Sequence, residues 1–119
     1  MMSGRVNISS GAPWEPIAGY CRAVRVGQFI EVAGTTAVDA EGNFHGEGDV
    51  VAQTHYVLEK IQHAIEQAGG AMSDVVRTRI FVTSREYMMD VAKVHGEFFR
   101  DILPAVSYTH LTLPTINWV

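Results

Sequence analysis

Residues 19–37 read GYCRAVRVGQFIEVAGTTA, and two short runs of alternating side chains meet there at one turn residue. Tyr20, Arg22, Val24 and Val26 fall on one side of the first run and Cys21, Ala23 and Arg25 on the other, the period-two pattern of a β-strand. Gly27 supplies the turn. The second run, residues 29–36, begins with Phe29, Ile30 and Val32 and closes on Ala33, Gly34 and Thr35, passing from bulky to small. A glycine weakens a strand unless something must approach its backbone. Gly34 therefore marks either the small-residue mouth of a site or a plain bulge or packing glycine.

Upstream of this hairpin, Val6-Asn7-Ile8 reads as a short edge strand, followed by Ser9, Ser10, Gly11, Pro13 and Pro16, which break regular structure. Trp14, among the breakers, fits a lid over the core edge or the rim of a pocket. Downstream, residues 38–43 carry turn chemistry and the chain to Gly48 reads as a surface loop. Asp49 then suits a helix N-cap. Thr54, Val57, Leu58, Ile61, Ala64, Ile65 and Ala68 recur at helical spacing as one apolar stripe, ended by Gly69-Gly70. His55, Glu59 and His63 are four apart, which raises a metal site. They lie off the stripe on a face that encloses nothing, so the expectation is a solvated face and no metal.

Residues 75–83, VVRTRIFVT, alternate again. Val76, Thr78, Ile80 and Val82 are expected to face the helices, with Val75, Arg77, Arg79, Phe81 and Thr83 opposite. A face pairing Phe81 with two arginines suits a subunit interface or pocket wall, or else a half-solvated strand. In the next helix, Thr83 and Glu86 form a candidate capping box, and Met88, Val91, Ala92, His95, Phe98, Phe99 and Ile102 make the stripe. His95 on that stripe reads as a satisfied core residue, and it is also the best-placed titratable side chain for acid–base chemistry. Pro104 stops the helix. Residues 106–113, VSYTHLTL, suit a strand on β propensity alone, and Pro114 argues against extending it.

With 119 residues the chain is one domain, small enough for oligomerisation to help it bury apolar surface. Hydrophobic residues at 47% and charged ones at 18% indicate a folded chain, and a net charge of -4 without a basic cluster argues against nucleic acid as a partner. Cys21 is the only cysteine, which excludes an internal disulfide and a four-cysteine metal site, and it reads as a buried, inert thiol. No charged-then-apolar leader and no apolar run of bilayer length occurs, so the expectation is a soluble, cytoplasmic protein with no membrane partner and no cofactor. The order strand, strand, helix, strand, helix, strand is α+β: a mixed β-sheet with two helices packed on one face. Other copies of the chain are expected to cover the remaining face.

The order of Gly19-Tyr20, the Val26-Gly27 turn, Val32-Ala33-Gly34, Ala68-Gly69, Asp74-Val75-Val76-Arg77-Thr78, Ile80-Phe81-Val82, and Phe98-Phe99 before Pro104-Ala105 resembles the Rid (YjgF-type) family of reactive enamine and imine deaminases. The likeness runs over roughly residues 5–105. It implies a chorismate-mutase-like trimer, with helices outside, sheets forming an inner barrel, and clefts between subunits that bind small enamines or imines. Tyr20, Gly34 and Phe81 match its cleft positions, and His95 stands where a polar or aromatic helix residue is usual.

In the deaminating members, the resemblance implies an arginine just after the Pro-Ala dipeptide, gripping the substrate carboxylate through two parallel hydrogen bonds. A late glutamate orients the water. Here Val106 follows Pro104-Ala105, Leu103 precedes them, Ala33 and Ala92 replace a hydroxyl and an amide residue, and the last strand is absent. The chain thus divides into a Rid-like domain, residues 1–105, and a tail, residues 106–119, whose SYTHLTLPTI looks like translated foreign or frame-shifted DNA. The catalytic residues stay unassigned. The implied function is hydrolytic deamination of 2-aminoacrylate-type compounds in the complete form, impaired here. The alternative is a non-catalytic trimer that binds small metabolites. RNA cleavage, also attached to relatives, is disfavoured by the acidic balance.

Overall fold

The computed structural model describes residues 4–111. β1 (Arg5–Ile8) is the expected edge strand, and a short helix, α1 (Trp14–Ala18), comes after it. The breaker reading of that segment missed α1. Pro16 sits in its first turn, where a backbone N–H has no partner within the helix and a proline costs nothing. Then β2 (Ala23–Val26) and β3 (Phe29–Val32) form the hairpin, with Val26 opposite Phe29 across a two-residue turn. Gly27 takes φ +60° there, the conformation that a hairpin turn with glycine at its first central position requires. β1 pairs antiparallel with β2, so the order is β1-β2-β3.

α2 (Val50–Gln67) starts where the sequence places it, with the Asp49 carboxylate accepting from the Ala52 N–H at 3.0 Å. It ends at Gly69, with φ +93°. There Arg25 Nη1 donates to the Ala68 carbonyl at 2.8 Å, tying the hairpin to the helix end. β4 (Arg77–Val82) and β5 (Ala105–His110) pair in parallel, Arg77 beside Ala105 through Val82 beside His110. Parallel strands need a crossover, and α3 (Met88–Phe99) is that crossover. Leu58, Ile65, Met72, Val94 and Phe99 make the buried core, with Val32 and Val75 packed against it. Burying each large aliphatic contributes roughly 1.5–3 kcal/mol of transfer free energy.

Several expectations need correction. The described residues form two sheets rather than one mixed sheet: an antiparallel β1-β2-β3 and a parallel β4-β5. β3 and β4 each keep one edge without a strand partner among the described residues, and no described strand bonds to both. Val75 and Val76 are exchanged, since Val75 packs on the core while Val76 is 80% exposed. A single 3₁₀ turn, Met72–Asp74, precedes them and resets the phase before β4 begins. The Thr83–Glu86 capping box does not form, because a 3₁₀ turn, Arg85–Tyr87, leads into α3 without a side-chain cap. Cys21 lies ahead of β2, half-buried rather than enclosed. Residues 112–119, including Pro114 and Ile116, lie outside the described residues.

Candidate functional site

Alternation along β2 sends Ala23 under the helices and Val24 to the opposite face. On that face Val24, Arg5 and Asn7 of β1 and Glu31 of β3 line an open depression of about 510 Å³, completed by Tyr20, Cys21 and Ala33. Gly34 follows Ala33 at the end of this wall and is exposed. A Cβ built on Gly34 meets nothing within 4 Å, so no contact inside the described chain calls for glycine there.

Arg22 joins the two candidate residues from behind. Its Nη1 donates to the Gly34 carbonyl at 2.9 Å and to Thr35 Oγ1 at 3.0 Å, and the guanidinium carbon lies 5.8 Å from the centre of the Tyr20 ring. Arg22 is buried, and its Nε has no hydrogen-bond partner among the described residues. Glu15 of α1 is also buried. Burial alone raises a carboxyl pKa, but hydrogen bonds from the Ser9 hydroxyl and from the Ser10 hydroxyl and amide outweigh it, so Glu15 is held below its ordinary value as a carboxylate. Reading Arg22 as an ordinary alternating strand residue missed this linkage, because Arg22 precedes β2.

Phe81 lies on the second sheet. Arg77, Arg79 and Phe81 are exposed on one face of β4, Phe81 by 61%, with Ala105, Ser107 and Thr109 beside them in register. His95 lies behind that strand. It is 7% exposed, its Nε2 hydrogen-bonds Thr78 Oγ1 at 2.9 Å, and its ring packs 4.6 Å from that of Phe99. Burial pushes the imidazole below its ordinary pKa, which keeps it neutral near pH ~7. Val106 sits beside Thr78 in the register of β5. The chain therefore brings Tyr20 and Gly34 together through Arg22, and leaves Phe81 and His95 on opposite sides of β4. His55 lies 3.3 Å from Glu97 of α3, and no cluster of three metal-ligating side chains occurs among the described residues.

A family model described as Endoribonuclease L-PSP matches residues 10–113, a span that takes in every described strand and helix after β1. A RutC family protein of Pyrococcus abyssi is 34% identical over 104 residues, which cover 87% of this chain and 81% of that protein. Among solved structures, Rv2704 of Mycobacterium tuberculosis, described as a member of the highly conserved YjgF/YER057c/UK114 family, matches with a TM-score of 0.82 at 40% identity, over 92% of this chain and 86% of that one. YyfA of Yersinia pestis, described as a protein of unknown function of the conserved Rid protein family, matches with a TM-score of 0.80 at 27% identity, over 93% and 90% of the two chains. With the hairpin, the α2 cover and the β4–β5 pair all inside the matched span, the chain belongs to the YjgF/Rid family.

Proposed function

We propose that the complete form of this protein is a trimeric, cytoplasmic hydrolase for small reactive enamines and imines of the 2-aminoacrylate type, and that turnover in the present chain is impaired. In the reaction, water adds to the imine carbon, the C–N bond breaks, and ammonia leaves a 2-oxo acid behind. Tyr20, Gly34 and Phe81 line clefts between subunits, which accounts for their failure to converge within one chain. His95, closed between α3 and β4, supports the strand from behind. What carries the impairment is the residue after Pro104-Ala105, where the resemblance expects a carboxylate-gripping arginine: it is Val106, an apolar side chain that cannot hold a substrate carboxylate beside the water.

The same reading takes residues 106–119 as sequence foreign to the gene. The parallel pairing of β5 with β4 is compatible with it, because a strand in this position needs only β propensity and free backbone groups, which VSYTH has. Resequencing the locus tests the origin of the tail, and its recovery in an independent clone would overturn it. RNA cleavage gains no support from a chain with net charge -4. No helix among the described residues is long and apolar enough to cross a membrane.

A second reading has its own observation. Arg77 and Arg79 stand exposed beside Phe81, and Ala33 and Ala92 supply no polar group for the chemistry. Such a face suits a trimer that holds small anionic metabolites without turning them over. Mixing the purified chain with enzymatically generated 2-aminoacrylate and following ammonia and pyruvate separates the two. Robust acceleration refutes impairment, while ligand-induced thermal stabilisation without turnover supports the binding protein. Light scattering on the same sample tests the trimer.

A further inference from the structure

A second recess lies on the α2 side of the first sheet, away from the Tyr20 depression. Its volume is about 320 Å³. Tyr56, Lys60, His63 and Gln67 enter it at spacings of one helical turn, so the polar face of α2 forms one wall. Arg22 and Ser10 come from the sheet side and Asp39 from the turn after β3.

Two cations thus share one small space. Lys60 Nζ donates to the carbonyls of Thr36 at 3.3 Å and Val38 at 2.6 Å, which leaves one of its three donors. Burial first, and then the charge of Arg22, lower the lysine pKa. The carboxylates in reach, Asp39 and Glu15, act on Lys60 through their charge, but neither hydrogen-bonds Lys60 or Arg22. Asp39 accepts from His45 Nε2 at 2.9 Å and from the amides of Glu41 and Asn43, which hold it at about 2, and Glu15 is taken by Ser9 and Ser10. Arg22 spends Nη1 on Gly34 and Thr35, and its buried Nε has no partner among the described residues. A buried guanidinium nitrogen without an acceptor signals a missing group. On a guanidinium, Nε and Nη2 lie side by side and match the two oxygens of a carboxylate.

We propose that this recess binds a small carboxylate, held by the Nε edge of Arg22 and the remaining donor of Lys60, with the Tyr56 hydroxyl and His63 at its rim. The inference does not rest on the deaminase reading, since it uses neither position 106 nor the opposite face of the sheet. The test is a two-dimensional amide NMR titration of the full chain with acetate, and separately with inorganic phosphate, at matched ionic strength. Acetate should give saturable shifts at Ser10, Ala40 and the Tyr56–Lys60–His63 face, and bind more tightly than phosphate. Lys60→Met and His63→Glu should each weaken acetate by about tenfold, the former by removing a charge-assisted bond and the latter by adding a repelling charge at the rim. His63 is exposed, so the His63→Glu protein keeps the test decisive should Lys60→Met fail to fold. Shifts that rise without saturating, that centre on the Tyr20 depression, or that keep their midpoint in His63→Glu would overturn the site. Tighter binding of phosphate would overturn its carboxylate preference.

Discussion

The two strand pairs are held by different means. β2 and β3 are neighbours in sequence, and a two-residue turn fixes their antiparallel register. β4 and β5 are parallel and depend on α3 to carry the chain back, so their pairing is set by how a helix packs. The side chains differ in the same sense. The first pair is flanked by Tyr20, Arg22 and Gly34, which are hydrogen-bonded or packed on one another. The outer strand of the second pair brings Ala105, Ser107 and Thr109 to the face of Phe81, and no charge. Backbone pairing tolerates almost any β-prone segment, whereas chemistry depends on single side chains. A strand can therefore be complete as architecture and empty as a site.

The strongest way to break this contrast is Phe99→Ala. It removes a buried ring under the crossover and should cost about 3–5 kcal/mol in denaturant unfolding. Hydrogen exchange should then show β4 and β5 losing protection before β2 and β3; equal loss would mean that both pairs rest on one core. Val106→Arg sharpens the chemical side. If the missing guanidinium is what limits turnover, ammonia release from 2-aminoacrylate should rise about tenfold to a hundredfold, the range of a charged hydrogen bond. An unchanged rate would refute the assignment of that role to position 106.

Leu103→Gly addresses the joint between α3 and β5. Leu103 has φ +59° and is 80% exposed, a left-handed conformation that glycine adopts freely. The change should stabilise the fold by about 1 kcal/mol in calorimetry, less if the unfolded chain gains as much freedom. The gentlest probe is pH. The pKa of His95 is lower folded than unfolded, so the unfolded chain binds more protons, and stability falls as pH drops below about 6.5. That contribution is fully present above the unfolded value. His95→Gln should flatten this part of the melting-temperature profile, and an unaltered slope would assign the proton uptake to another histidine.

Much of this fold can be read from period alone. The hairpin, the α2 stripe between Asp49 and Gly69, and His95 on the inner face of α3 are all legible in side-chain spacing, because local backbone geometry decides which residues share a face. α1 escaped that reading because a proline is a breaker except in a first turn, and only the capping pattern tells the two apart. The exchange of Val75 and Val76 depended on one 3₁₀ turn that no alternation reveals. The division into two sheets is non-local, set by which edges find a partner. In the candidate site, Gly34 was legible as a small residue closing the second run and Tyr20 only through the family resemblance, while the part of Arg22 was hidden, since its value lies in contacts to residues 12 and 13 positions away.

Arg25 gives the hairpin a form of proofreading. Its guanidinium bonds the Gly27 carbonyl in the turn and the Ala68 carbonyl, 43 residues along the chain. Were the strand to slip by one residue, every side chain would change faces, and the last turn of α2 would lose its partner. Even an added methyl at Gly69 would collide with Arg25 Nη1, at 2.5 Å. A mispaired hairpin is thus penalised at a distance, so folding of the helix terminus and alignment of the strands succeed or fail together.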